Sequence, residues 1–140
     1  MSTPSLAALT EASERATALK RRRDAAKQER DQEIKRANGR GARPIDLMEA
    51  GRLSRRSVAY LVSDVKVTPV MGESPGLDAV ERAAEELEGA QRALDDALEA
   101  RNELITAAMR AKAFTVAQLH EATGVRRSQL YKIREKASAE

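Results

Sequence analysis

The chain repeats itself. Positions 3–34 align without a gap on positions 74–105, and ten of those 32 pairs are identical, from Pro4/Pro75 through Arg21/Arg92 and Arg30/Arg101 to Ile34/Ile105. A one-residue insertion then brings Asp46–Leu61 onto Gln118–Ile133, where Leu47/Leu119, Glu49/Glu121, Ala50/Ala122 and Arg55/Arg127 are identical. Each copy must therefore fold as one supersecondary unit. Units of about 70 residues bury only a small core on their own. Tyr60, Phe114 and Tyr131 are the only aromatic residues and 34% of the chain is charged, so helix packing through Ala/Leu seams has to supply most of the stability. This combination predicts an elongated, all-α protein made of two tandem repeats, each a long coiled-coil-like helix followed by a short helical module.

Start and stop signals place the elements. Thr3-Pro4 and Ser74-Pro75 read as N-caps with proline at the first helical position, where a missing N–H is harmless. In the second copy, positions 77, 80, 84, 87, 91, 94, 98, 101, 105 and 108 read Leu, Val, Ala, Leu, Gln, Leu, Leu, Arg, Ile and Ala, a heptad seam interrupted at Gln91 and Arg101. The same frame in the first copy holds Lys20, Arg23, Lys27 and Arg30 in its middle, which removes the apolar seam there. Asn38-Gly39 marks a helix end, Pro44 a helix start, and Thr115 with Gln118 a capping box. The expected organisation is repeat 1 over 1–64 (long helix 4–38, short module 44–64), a linker over 65–73 broken by Pro69 and Gly72, and repeat 2 over 74–140 (long helix 75–113, module 115–136).

The module of repeat 2, TVAQLHEATGVRRSQLYKIR over 115–134, pairs two amphipathic helices across a glycine turn, with Leu119, Val125, Leu130 and Ile133 spaced to form one small core. It resembles the helix-turn-helix of small bacterial DNA-binding proteins, in particular the resolvase-like and sigma-factor region-4-like versions. Gly124 stands where those families use a glycine at positive φ, and Val125 where an apolar residue plugs the turn. His120 and Thr123 depart from the pattern, which favours a small residue at the first position and a bulky apolar one at the second. In repeat 1, AGRLSRRS places Gly51 one residue early relative to Leu53, which predicts a turn one residue longer, while Ser54 supplies an N-cap to its second helix.

The resemblance implies that the second helix of each module recognises double-stranded DNA, with its first turn in the major groove. The implied contact residues are Arg55, Arg56, Ser57 and Tyr60 in repeat 1, and Arg126, Arg127, Ser128, Gln129 and Lys132 in repeat 2. Arginine grips guanine and glutamine adenine in bidentate fashion, so these side chains suit base reading. An arginine pair at a helix N-terminus opposes the helix dipole by roughly 0.3–1 kcal/mol per charge, a conflict that a nearby phosphate or guanine would remove. The implied function is sequence-specific DNA binding by a transcriptional regulator of bacterial or phage type. A helical protein–protein adaptor and a plasmid or phage DNA-maintenance or packaging protein remain alternatives.

Charge is sorted by element. Residues 78–103 carry nine acidic and three basic side chains, whereas 104–140 carry seven basic and three acidic ones. The basic run Lys20–Arg23 with Lys27 and Arg30 could pair with the acidic helix of repeat 2, form a solvated face, or track phosphates. The linker is too short to return along a long helix, so the two long helices are expected either antiparallel within the chain or paired between chains. The 77–108 seam is accordingly a candidate surface for a homo-oligomer or a helical partner. The lone His120 reads as a packing residue, and neither a metal site nor any other cofactor is expected. Cysteine is absent, and no nucleophile–base pair or phosphate-cradling glycine loop suggests an enzyme. No apolar run reaches the ~20 residues of a membrane span and no secretory signal is evident, so a cytoplasmic, nucleoid-associated location is the expectation.

Overall fold

A computed structural model describes residues 3–139, and over them the chain is all-helical. Six helices follow in order: α1 (Leu6–Gly39), α2 (Pro44–Gly51), α3 (Arg55–Val62), α4 (Leu77–Arg110), α5 (Val116–Thr123) and α6 (Arg127–Ala139). No described helix is long and apolar enough to cross a membrane.

Both long helices begin two residues later than the proline signals predict. Ser5, not Thr3, caps α1, its Oγ accepting the Ala8 N–H at 3.1 Å. At α4 the Gly76 carbonyl accepts the Ala79 and Val80 N–H groups at 3.2 and 3.4 Å, and Ser74 reaches only the Gly76 N–H. The prolines thus lie just outside the first turn. The C-terminal ends also differ from expectation, because each helix closes with a Schellman turn. In α1 the left-handed residue is Gly41, with Ala42 N–H on the Ala37 carbonyl at 2.9 Å and Gly41 N–H on the Asn38 carbonyl at 3.0 Å. In α4 it is Lys112, with Ala113 N–H on the Ala108 carbonyl at 3.2 Å and Lys112 N–H on the Met109 carbonyl at 3.0 Å.

The chain divides into two compact units, and not at the linker. One unit joins the residues up to Lys20 with those from Arg92 onward, and the other is Arg21–Gln91. The reason lies in the two cores. In the first unit Leu9 of α1 is buried with Ile105 and Ala108 of α4, Leu119 of α5, and Val125 and Leu130 of the following turn and helix, with Leu6 and Ile133 packed on the edge. In the second unit Ile34 and Ala37 of α1 are buried with Ala42, Leu47 of α2, Val58 of α3 and Val80 of α4, with Leu53, Leu61 and Leu77 at the edge. Each short helical pair therefore buries its apolar face against the helix that precedes it and against the opening turn of the other long helix. The expected repeat boundaries cut through both cores.

The seam follows a partly different frame from the one predicted. Lys20 and Lys27 are exposed, while Ala26 is buried and Leu19 half-buried, so the middle of α1 is not emptied of apolar residues. On α4, Ala83, Ala90 and Ala97 are buried at seven-residue spacing beside Val80, Ala84 and Leu94. Small residues at these positions allow close backbone approach. The surface expected to receive a partner is in this way largely covered by the chain itself.

Within the second unit the basic and acidic segments meet as one of the expected alternatives has it. Arg22 Nη2 lies 3.0 Å from Glu86 Oε1, and Arg23 donates to Gln91 Oε1 at 3.0 Å. The Arg22 pair is solvent-exposed and contributes little to stability. In the first unit Arg101 is partly buried beside Asn102, and loss of hydration lowers its pKa.

The segment after α3 is held against the end of α1. Thr68 N–H donates to the Gly39 carbonyl at 2.6 Å, and Pro69 packs where a Cβ on Gly41 would lie 3.3 Å from its ring. Gly41, at φ +99, serves both the left-handed turn and this close approach.

Candidate nucleic-acid interface

The two modules have turns of equal length. Three residues, Arg52–Ser54 and Gly124–Arg126, separate the short helices in each. The longer turn expected in repeat 1 is not present, because the left-handed position is Arg52 (φ 55, ψ 47), the counterpart of Gly124 (φ 70, ψ 2). Gly51 is instead the last residue of α2 and is buried. A Cβ there would lie 3.0 Å from Ile34 Cδ1, so the glycine is retained for packing. Arg52 occupies a conformation disfavoured for a side-chain-bearing residue by about 1–2 kcal/mol. Its guanidinium is fixed by Glu88 at 2.5 Å, with Glu85 at 3.7 Å, and the hydrogen bond to Glu88 raises its pKa.

In the first unit the two departures from the helix-turn-helix pattern hold the turn together. Thr123 Oγ1 donates to the Leu119 carbonyl at 2.7 Å and accepts the Val125 N–H at 3.2 Å. His120 Nδ1 donates to the Val125 carbonyl at 2.8 Å. The Thr123 carbonyl accepts the Ser13 hydroxyl from α1. The capping box is formed in full: Gln118 N–H reaches Thr115 Oγ1 at 3.1 Å and Thr115 N–H reaches Gln118 Oε1 at 2.9 Å. Sequence reasoning saw His120 as packing and did not single out Ser13 at all. The spacing of Thr123 and Val125 around a glycine is the local signal for the threonine clamp, whereas the Ser13 bond spans 110 residues and has no local signal.

The rotation of each second helix is set by its core residues. Val58 on α3 and Leu130 on α6 are almost fully buried, at 1% and 0% exposure. Arg55, Arg56 and Tyr60 are exposed in consequence, and so are Arg126, Arg127, Ser128, Gln129 and Lys132. Ser57 is the exception: it is half-buried, and its N–H and hydroxyl are both engaged with Ser54, the N-cap of α3, at 3.2 and 3.0 Å. It serves the cap before it could serve a base. Arg126 stands at the N-cap position of α6, with its carbonyl accepting the Leu130 N–H at 3.0 Å.

The arginines differ in their partners, and Arg15, Arg21, Arg40 and Arg92 on the long helices and the following turn are without a hydrogen-bonding or ionic partner among the described residues. Arg22, Arg23, Arg30, Arg36, Arg43 and Arg52 all pair with carboxylates. Arg55, Arg56, Arg126 and Arg127 have no hydrogen-bonding or ionic partner among the described residues. Four cations are thus left uncompensated at the positive ends of two helix dipoles. Arg134 lies 4.7 Å over the ring of the half-exposed Tyr131, a cation–π pair that adds an aromatic to the α6 surface and was not anticipated. Among the described residues no group of His, Asp and Glu is disposed to hold a metal ion.

Comparison of the chain with protein-family models, with curated proteins and with solved structures returned no match.

Proposed function

We propose that this chain is a sequence-specific double-stranded DNA-binding protein, a transcriptional regulator that uses one or both of its short helical pairs as helix-turn-helix modules. The observation that carries the reading is the pair of partnerless arginines on the first turn of α3 and at the head of α6, each on a helix whose rotation is fixed by a buried Val58 or Leu130. Phosphate or guanine is the chemistry that such an array lacks. Gln129 and Lys132 add an adenine-reading amide and a further cation to α6. A cytoplasmic, nucleoid-associated protein follows from this reading.

We read the two modules as a tandem duplication. Supporting it are Schellman turns at Ala37–Ala42 and Ala108–Ala113, left-handed turn residues at Arg52 and Gly124, and cores that draw on Leu9 and Val80, Ile34 and Ile105, Leu47 and Leu119, and Val58 and Leu130. The test is duplex binding by fluorescence anisotropy across a salt series, with Arg126→Ala/Arg127→Ala and Arg55→Ala/Arg56→Ala double variants. A steep salt dependence weakened by at least one double variant is expected. Absence of duplex binding at low salt, or indifference to both double variants, would overturn the reading.

A further inference from the structure

The first unit carries an open groove of about 820 Å³ between α4 and α6. Its wall on α4 runs from Asp95 to Arg110, about 22 Å at 1.5 Å per residue. Leu98 and Ala107 of α4 and Ile133 and Ala137 of α6, all half-buried, give it an apolar lining. Glu99 and Glu103 lie one turn apart along the same wall, both exposed and without an ionic partner among the described residues, while Arg110, which is itself partnered, and Lys136 are the cations of the lining. An apolar channel four helical turns long with a carboxylate row is shaped for a helix rather than a compact metabolite.

The second unit provides a comparison within the same chain. The α1 residues 71 positions before those of the Asp95–Thr106 wall, together with Leu61 on α3, line a groove of about 430 Å³. There Lys27 stands in place of Leu98, and Gln28 and Gln32 in place of Glu99 and Glu103. The smaller groove lacks the apolar centre and the glutamate pair, and the carboxylates it does have, Asp24 and Asp31, are each paired with the preceding arginine. An apolar centre flanked by carboxylates that have no ionic partner among the described residues is thus found in the first groove and not in the second.

We propose that the α4–α6 groove docks a basic amphipathic helix of a partner protein, its apolar stripe on Leu98 and Ile133 and its lysines or arginines on Glu99 and Glu103. The proposal goes beyond DNA binding and does not depend on it. The implied DNA-facing residues of α6 are Arg126–Gln129 and Lys132, whereas the groove uses Ile133, Lys136 and Ala137. The partner would therefore be held on the far half of the same helix, and the groove can be assayed without DNA.

The experiment uses the full chain and a fluorescein-labelled 16-residue peptide with a leucine stripe flanked by lysines, alongside the same peptide with every lysine replaced by glutamate. Anisotropy titration is expected to show the lysine peptide binding at least tenfold more tightly than its glutamate counterpart. Leu98→Lys, which installs the second unit's residue, and Glu99→Gln/Glu103→Gln are each expected to weaken the lysine peptide at least tenfold at unchanged helicity. Glu81→Gln, on the acidic part of α4 outside the groove, should leave binding unchanged. Equal affinity for both peptides, or indifference to Leu98→Lys and to the double variant, would overturn the proposal. So would a concentration-dependent dimer abolished by Leu98→Lys, which would assign the groove to a second copy of the chain.

Discussion

A Cβ on Gly51 would stand 3.0 Å from Ile34 Cδ1 and 3.6 Å from Val80 Cγ1. Ile34 is fully buried, so close packing around it leaves its Cδ1 little room to swing aside. Gly51→Val should destabilise the protein by about 2 kcal/mol through overpacking. A urea midpoint shift at constant m-value is the measurement. An unchanged midpoint would mean that α2 does not sit this close to α1.

Thr123→Val removes the acceptor of the buried Val125 N–H and the donor to the Leu119 carbonyl. The orphaned amide should cost about 1–3 kcal/mol, and Thr123→Ser, which keeps the hydroxyl, should cost much less. Ser13→Ala deletes a single bond to the Thr123 carbonyl and should cost about 1 kcal/mol. Thermal or urea unfolding of the three variants ranks them. Equal losses for the serine and valine replacements would remove the hydroxyl from the account.

At Arg52 the backbone and the side chain pull in opposite directions. Arg52→Gly relieves the left-handed strain but loses Glu88, whereas Arg52→Ala keeps the strain and loses the same partner. The glycine variant should melt above the alanine variant. Salt should lower the wild type toward the alanine variant, since the ion pair is exposed. A glycine variant no more stable than the alanine one would show that strain at this position is negligible.

Leu9 belongs to a core whose other buried members, from Ile105 to Leu130, follow it by about a hundred residues or more. Leu9→Ala should destabilise by about 2–5 kcal/mol. Hydrogen exchange should show the loss in the amides of α5 and α6, not only in the first turns of α1. Protection lost only near residue 9 would contradict the packing.

Under the proposed DNA-binding function, replacing Arg126 and Arg127 by alanine should weaken specific binding by about 1–3 kcal/mol for each that reads a base, and lower the salt slope by about one for each that holds a phosphate. Equilibrium titrations between 50 and 300 mM salt separate the two roles. Arg55→Ala/Arg56→Ala reports in the same way on the other module.

The helical class, the two long helices and four short ones, and the residues around the Gly124 turn were readable because they rest on local signals. The Thr115–Gln118 capping box, Pro44 at a helix start and Ser54 as an N-cap each act within one turn. The Leu119/Val125/Leu130 core was likewise visible as spacing. What was not readable depends on contacts distant in sequence. Gly51 looked like a turn glycine until Ile34 was seen against it, and Arg52 gave no sign of the left-handed conformation that Glu88 helps to hold. The α1 seam was misplaced by one residue at Lys20 and Lys27, because long basic side chains can occupy either edge of a helical stripe and only burial of Leu19 and Ala26 decides the frame. The unit boundaries were missed for the same reason, since Leu9 and Val80 look like ordinary members of their own helices.

Arg21–Gln91 is one uninterrupted stretch, whereas the other unit is stitched from residues up to Lys20 and from Arg92 onward. During synthesis the first can close as soon as its last turn leaves the ribosome. Leu6 and Leu9 must wait until Leu130 has been made before their core exists. At about 5–20 residues per second that delay amounts to several seconds with two leucines uncovered. The Leu6–Leu9 turn of α1 thus finds its place only when α6 is complete.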